Sequence, residues 1–291
     1  MSEGLVTAYA LAFGSSLAWA GLDAARKGLA GVFPSDWTGP VALVVWLTLG
    51  QSPLFAAWWL VDGGALPAGD YWLPGLVGLA LQVVANLLFV RAVQVSPLSL
   101  TVPFLSLAPA FAVVAAAVLL RETPTARQLA GTALVVAGAL GLHARGLWHG
   151  LREEPGSAMM VAVAALWAVT SNFDRYVTDL AAPGFHALVQ NGGVGVLLLG
   201  LFAARREGGA ALGAARRRPG LLLGAFLLAG LAFASQLLAV KTLIVPVVET
   251  MKRGLGVASA VVLGRLVFRE ALAVRKLLAV GAMMAGTALM L

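Results

Sequence analysis

Runs of about twenty consecutive apolar residues, set apart by short polar or Gly/Pro-rich breaks, recur along this whole sequence. That is the length an α-helix needs to cross roughly 30 Å of hydrocarbon. No other feature narrows the fold so far, because backbone in lipid must satisfy its own hydrogen bonds, and only helices and closed barrels do so. Barrel strands read as alternating segments of about ten residues, and the sequence has none of these. Of the residues 60% are hydrophobic and 11% charged, where a soluble domain carries about 25% charged. The chain reads as an all-α polytopic membrane protein.

Apolar periodicity and punctuation predict ten transmembrane helices, at about 4–25, 39–61, 72–92, 97–120, 125–143, 157–173, 184–204, 219–240, 245–268 and 272–291. The longest polar break, His143 to Ser157, falls midway, and a second, basic break runs from Arg205 to Pro219. A shift of 148 residues aligns the two halves without a gap: Trp19 falls on Trp167, Lys27 on Arg175, Arg121-Glu122 on Arg269-Glu270, and Gly138 on Gly286. A rare Trp, a basic residue and an Arg-Glu pair in one frame point to an internal repeat. The expected domains are 1–145 and 157–291. Five helices is an odd number, so the second copy must enter the membrane from the opposite side. Two inverted five-helix repeats are the architecture of many secondary transporters, with the site near midplane where the copies meet.

Charge inside an apolar block is the next constraint. The ninth block opens Val245-Pro246-Val247-Val248-Glu249-Thr250-Met251-Lys252-Arg253. With a helix starting there, Arg253 sits roughly 10 Å in, at a cost of at least about 2.5–3.5 kcal/mol on insertion scales. Glu249, three residues from Lys252 and four from Arg253, can neutralise one cation and leaves a net positive charge. The competing structural reading has Lys252 and Arg253 snorkelling to headgroups. The binding-site reading is preferred, because the 148-residue frame places Thr101, Phe104 and Leu105 opposite Glu249, Lys252 and Arg253. The charges are therefore not part of a shared scaffold.

Further polar groups fall at membrane depth. Trp19, Asp23 and Arg26 share one helical face, as do Trp167, Ser171 and Asp174, with Asn172 and Arg175 beside them. They read either as a polar, Trp-lined cavity wall or as an interfacial belt with helix-end charges. Gln82 and Asn86 share a face of the third block and Gln236 lies in the eighth. Such amides line a pathway or hold helix to helix; the pathway role is preferred for Asn86 and the holding role for Gln236. Pro103 and Pro109 interrupt the fourth block, and Gly131, Gly138, Gly141, Gly281 and Gly286 read as close-packing positions.

Several function classes drop out. With no cysteine there is no disulfide or thiolate metal site, and His143, His149 and His186, expected in or near loops, show no ligand spacing. No metal or cofactor is expected. Gly192-Gly193-Val194-Gly195 lies inside an apolar run and is no nucleotide loop; no nucleophile–base pair stands out, and an enzyme is not expected. The net charge of +7 suits loops facing anionic lipid rather than nucleic acid. The N-terminus lacks a basic n-region, so no cleaved signal peptide is expected.

The segment Ala108-Pro109-Ala110 through Leu119-Leu120-Arg121-Glu122-Thr123-Pro124 to Gly131 and Gly138, with its counterpart ending Phe268-Arg269-Glu270, resembles the drug/metabolite transporter superfamily, EamA type. The resemblance spans nearly the whole chain. It implies ten helices in two copies, a central cavity with alternating access and a small-molecule substrate, with Glu122 and Glu270 at structural helix ends. Lys252-Arg253 is similar to the Lys-Arg pair of the triose-phosphate/phosphate translocators, where that pair holds phosphate. Substrate-binding residues are therefore expected among Lys252, Arg253, Glu249, Asp23, Trp19, Asn86, Gln82, Trp167 and Asn172. The preferred function is secondary transport of an anionic or zwitterionic, phosphate-bearing metabolite across the cell's inner membrane. Export of amino acids or cationic drugs through Glu249 and Asp23, and a lipid-headgroup or assembly role without transport, stay open. So does a homodimer. Members of the superfamily are usually drawn with both termini in the cytoplasm. Here thirteen basic loop residues, among them Arg26, Arg91, Arg145, Arg152, Arg205, Arg216, Arg269 and Lys276, face the side opposite the termini, against Arg121, Arg127, Arg175 and Lys241. The positive-inside rule thus places the termini outside.

Overall fold

A computed structural model describes residues 2–96, 101–142, 154–268 and 274–290, without the side chains of 30, 102, 142, 257, 260–268 and 274–276. The midway break with His143, Arg145, His149 and Arg152, the second Arg-Glu pair Arg269-Glu270, and the Arg275 and Lys276 side chains lie outside that description.

Within it the chain is helical, and each apolar block becomes a helix because lipid leaves its backbone no other partner. In order these are α1 (Glu3–Ala30), α2 (Thr38–Val61) and α3 (Trp72–Val95), the last entered through a 3-10 turn, Gly69–Tyr71. The fourth, α4, is composite: a 3-10 stretch Val102–Leu107, an α-helical middle Ala108–Ala115 and a π-helical end Ala116–Leu120. The apolar pattern alone predicts one continuous helix there. Pro103 and Pro109 remove two backbone donors, and the 3-10 stretch covers the segment between them. Then come α5 (Ala126–Leu142), α6 (Pro155–Val177), α7 (Pro183–Arg205), α8 (Pro219–Val240), α9 (Val245–Phe268) and α10 (Val274–Met290). Proline at the start of α6, α7 and α8 costs nothing, since the first turn has no partner for its N–H.

Seven of the described helices, α1 to α4 and α6 to α8, are long and apolar enough to cross a membrane. Their outward surfaces carry large apolar side chains such as Leu60, Leu73, Val118, Leu197 and Leu223, a pattern that hydrocarbon stabilises and water does not. The molecule is thus an all-α, multi-pass membrane protein. The basic break is more ordered than a loop, holding a short helix Gly209–Ala214 and a 3-10 turn Ala215–Arg217. Helix α1 runs beyond its expected end near residue 25 to Ala30, so Asp23, Arg26 and Lys27 belong to the helix body.

Neighbour relations follow one rule. Helix α1 packs on α8 and α9, α6 packs on α3 and α4, α2 pairs with α7, and α5 with α10. Exchanging α1–α5 for α6–α10 maps α1–α8 onto α6–α3 and α1–α9 onto α6–α4, and leaves α2–α7 and α5–α10 each on itself. In lipid, helices associate through close contact of small residues rather than by hydrophobic expulsion. At the α5–α10 crossing a Cβ on Gly131 would lie 2.5 Å from the Gly286 carbonyl oxygen, and one on Gly286 2.6 Å from that of Gly131. Gly138 is likewise shut by Met283, at 2.8 Å. Gly281, expected in the same role, has room for a Cβ among the described residues.

The two ends of the bundle are identified by cross-links. The Tyr9 hydroxyl donates to the Met290 carbonyl at 2.8 Å, so both chain ends share a face, here the terminal face. On it Arg175 at the end of α6 meets Glu122 beyond α4 at 3.5 Å, which gives Glu122 the structural helix-end position expected for it. On the opposite face Arg218 donates to the Gly28 carbonyl at 3.3 Å and the Gly156 N–H to Ser96 Oγ at 3.0 Å.

Candidate functional site

Four helices, α1, α6, α8 and α9, bring polar side chains together in the apolar interior. Glu249 is the centre, with only 1% of its surface exposed. Its Oε1 accepts a hydrogen bond from Ser171 Oγ of α6 at 3.0 Å and forms a close ion pair with Lys252 Nζ one turn along α9. Lys252 Nζ also donates to Gln236 Oε1 of α8 at 3.3 Å and lies 5.7 Å from the centroid of the Trp19 ring of α1. Trp19 Nε1 donates to the same Gln236 oxygen at 3.1 Å. Trp19 and Gln236 meet because helical side chains lean toward the N-terminus of their own helix. In antiparallel α1 and α8 they lean toward each other.

The ammonium is therefore already served by a carboxylate, an amide oxygen and a π-face. Sequence spacing leaves it free to hold an anion, and in the structure it is not free. Arg253 differs: among the described residues it has no ion pair, and its Nε is buried without a hydrogen-bond partner. A buried donor left unpaired costs about 1–3 kcal/mol. With Glu249 neutralising Lys252, Arg253 carries the unbalanced positive charge of this cluster.

The 148-residue frame sets this arrangement against its counterpart. Leu88 stands where Gln236 stands in the second half. Trp167, opposite Trp19, stacks on Phe89 with ring centroids 5.7 Å apart, and its Nε1 is buried without a partner. The scaffold is repeated and the polar cluster is not.

The remaining expected site residues divide. Trp19 joins the cluster, and Gln236, favoured as helix-to-helix glue, does both jobs at once. Asp23 does not join: 70% of its side chain is exposed, and it pairs with Arg26 at 3.0 Å, whose guanidinium lies 5.7 Å from the Trp19 ring. A carboxylate in solvent reach binds its own helix neighbour cheaply, and that is where Asp23 goes. Gln82 of α3 meets Thr170 of α6 at 3.5 Å, while Asn86 donates to the Gln82 carbonyl of its own helix at 2.8 Å, and neither amide bonds to the Glu249 cluster. Asn172 is fully buried, donates to the Ala168 carbonyl at 2.8 Å, and keeps Oδ1 unpartnered.

A second buried polar group has no counterpart in the sequence reading. His186 lies in the first turn of α7, not in a loop, and is 1% exposed. Its Nε2 meets Asp174 Oδ1 of α6 at 2.9 Å and its Nδ1 meets the hydroxyl of fully buried Tyr71 at 3.1 Å. Asp174 and Arg175, read as one helix-end pair, part company: Asp174 turns inward to His186, while Arg175 reaches Glu122 and Asp179. The sequence holds one usable signal, since Ser171 and Asp174 stand three residues apart on one face.

Two cavities, of about 340 Å³ between α5 and α10 and about 430 Å³ beside Asp36, Trp37 and Arg91, lie elsewhere and are not lined by the cluster. Glu249 itself is buried, and its partner Lys252 keeps 17% of its side chain exposed.

Residues 6–143 match the profile of the EamA-like transporter family. A protein of known crystal structure, 19% identical, superposes with a TM-score of 0.76 over 98% of this chain and 96% of its own. At that identity the likeness shows a shared fold over the full length and says nothing of cargo. No curated protein matches the chain.

Proposed function

We propose that the chain, whose residues 6–143 match the EamA-like transporter family, is a membrane transporter of the drug/metabolite superfamily that carries a small anionic, phosphate-bearing metabolite by alternating access. The observation that carries this reading is Arg253. A guanidinium held at membrane depth with a buried, unpartnered Nε, beside a cation that already has its carboxylate, is a site short of one anion. Its planar fork suits phosphate or carboxylate oxygens, and Lys252 adds a point charge when the Glu249 contact loosens. Gln236, Ser171 and Trp19 orient the pair.

The exchange symmetry of the helix contacts supports reading 1–145 and 157–291 as two copies in opposite orientations, with the site between them. We place the protein in the inner membrane with its basic face in the cytoplasm, following the positive-inside rule. The cation-export alternative is the weaker one, because Glu249 is closed on Lys252 and Asp23 on Arg26.

The test is Arg253→Ala reconstituted in liposomes with labelled inorganic phosphate and glycerol 3-phosphate as probes. Loss of one charged hydrogen-bonding partner, about 1.5–3 kcal/mol, lowers affinity about 10- to 150-fold, while the elution profile and melting temperature stay near those of the wild type. Unchanged uptake of both anions would remove Arg253 from the site.

A further inference from the structure

We propose that the buried Tyr71–His186–Asp174 chain is the carrier's proton site, and that one proton taken up on His186 accompanies each anion brought to Arg253. The cargo half of this rests on the anion reading above; the proton half stands on geometry of its own.

Charge balance comes first. Glu249 and Asp174 supply two negative charges; Lys252 and Arg253 supply two positive ones. All four belong to one region: Ser171, which donates to Glu249, is one helical turn from Asp174, and Asp174 acts electrostatically on Lys252. The Glu249–Lys252–Arg253 cluster is itself short of one anion, and Asp174, held by His186, balances it only across the wider region. An arriving monoanion alone would leave a net negative charge in a water-poor interior, which is expensive. One proton restores neutrality.

The place for that proton follows from the hydrogen bonds. Glu249 is poorly suited, because Oε1 already receives Ser171 and Lys252, and protonating it would strand the ammonium. His186 can gain a proton with both contacts kept. In the neutral imidazole Nε2–H donates to Asp174 while Nδ1 accepts from the Tyr71 hydroxyl. In the imidazolium Nδ1–H donates to the Tyr71 oxygen, after the hydroxyl rotates. Histidine is also the side chain whose ordinary titration spans physiological pH. The groups facing it are Asp174 from α6 and Tyr71 from the turn before α3. On α2, Trp58 and Trp59 lie against the start of α7, and Lys252 of α9 is coupled through Asp174. The chain lies near the terminal face: Tyr71 adjoins exposed Asp70, so protons need cross only a short distance.

Linkage makes the coupling reciprocal: if proton uptake favours the anion, the anion favours proton uptake to the same degree. One coupled proton therefore adds at most about tenfold to phosphate affinity per unit fall in pH, beyond the change due to phosphate's own protonation. The experiment measures phosphate affinity of the full chain in nanodiscs at about pH 8 and about pH 6, the range in which imidazole changes charge. It compares wild type with His186→Gln and with the milder Tyr71→Phe. Phosphate's own titration in this range is common to all three proteins, so the expected result is a wild-type dependence steeper by up to one proton than that of His186→Gln, with Tyr71→Phe between them. An equally steep dependence in both variants would overturn the proposal. Should the wild type bind no phosphate at either pH, the anion reading fails, and the proton site is judged by ¹⁵N-histidine spectra. The chain has three histidines, so His143→Gln with His149→Gln leaves His186 alone. Its ring signals are expected to move on acidification and to move differently in Asp174→Asn. Signals unchanged between about pH 8 and about pH 5 would rule the site out.

Discussion

Replacing Glu249 by Gln separates a structural ion pair from an anion site, because the two readings predict opposite responses to phosphate. The substitution keeps an oxygen for Ser171 Oγ but leaves Lys252 without its carboxylate. Breaking a buried pair from one side costs about 3–5 kcal/mol. Lys252 keeps Gln236 at 3.3 Å and the Trp19 ring, so the lower figure of about 3 kcal/mol applies. In a helical protein of this size that is a fall of roughly 6–12 °C in melting temperature. Phosphate should then recover much of the loss, since it supplies the missing negative charge. Removing a like charge about 6 Å from the bound anion is worth about 3 kcal/mol at an effective dielectric near 20, or about 100-fold in affinity. Glu249→Gln with Lys252→Met, which removes both charges, should melt near the wild type and bind phosphate no better than it. The assay is thermal unfolding in detergent across a phosphate series. If Glu249→Gln is as stable as the wild type, or if phosphate shifts both proteins equally, the pair does not guard an anion site and the reasoning fails.

Gly286→Val forces a side chain against the Gly131 carbonyl oxygen, 2.6 Å from where its Cβ would sit; it should destabilise by about 1–3 kcal/mol through overpacking, whereas Gly281→Val, facing open space, should not, as thermal melts will show. Arg206 caps α7 with φ +54°, so Arg206→Gly should raise stability by about 1 kcal/mol, and an unchanged or lower melting point would count against strain there. Asp36 accepts hydrogen bonds from the Thr38 N–H and hydroxyl, which hold its carboxyl below its ordinary value. Its contribution is full above the unfolded carboxylate range and is lost as pH falls through the lowered value, so Asp36→Ala should flatten the acid end of the stability curve. The chain has no cysteine, which makes sidedness easy to test. A single Cys at Thr242 should react with an impermeant maleimide on intact cells, and one at Arg216 only after lysis; the reverse puts the basic face outside.

Much of this is legible in the sequence because lipid makes few demands and makes them strictly. Block length alone places the helices, and one ungapped frame ties Trp19 to Trp167. Helix ends are less legible: nothing in Ala24-Ala25-Arg26-Lys27 distinguishes a helix running on into the headgroup region from one that has stopped. Pro103 marks a disturbance in α4 without saying that a 3-10 stretch will absorb it. At the site, spacing along α9 reveals the Glu249–Lys252–Arg253 cluster, but which cation takes the carboxylate depends on where Gln236 and Trp19 arrive from α8 and α1. Spacing within one helix cannot carry that. His186 escapes for the same reason: its partners come from α6 and from the turn before α3, and a lone histidine after a Pro-Gly looks like loop.

The asymmetry between the halves argues against a merely structural role for the charges. Leu88, Phe104 and Leu105 hold the first-half positions where Gln236, Lys252 and Arg253 hold the second, and the helix contacts around them are equivalent. Apolar side chains therefore suffice to build this junction, and replacing a buried ion pair by apolar residues is often neutral or stabilising. Trp167 adds a control within the same molecule: stacked on Phe89, it keeps its Nε1 unpartnered and still packs. The second-half cluster thus carries a desolvation cost that the scaffold does not require. Arg253 concentrates that cost in one group, and an anion crossing the membrane is the partner that would offset it.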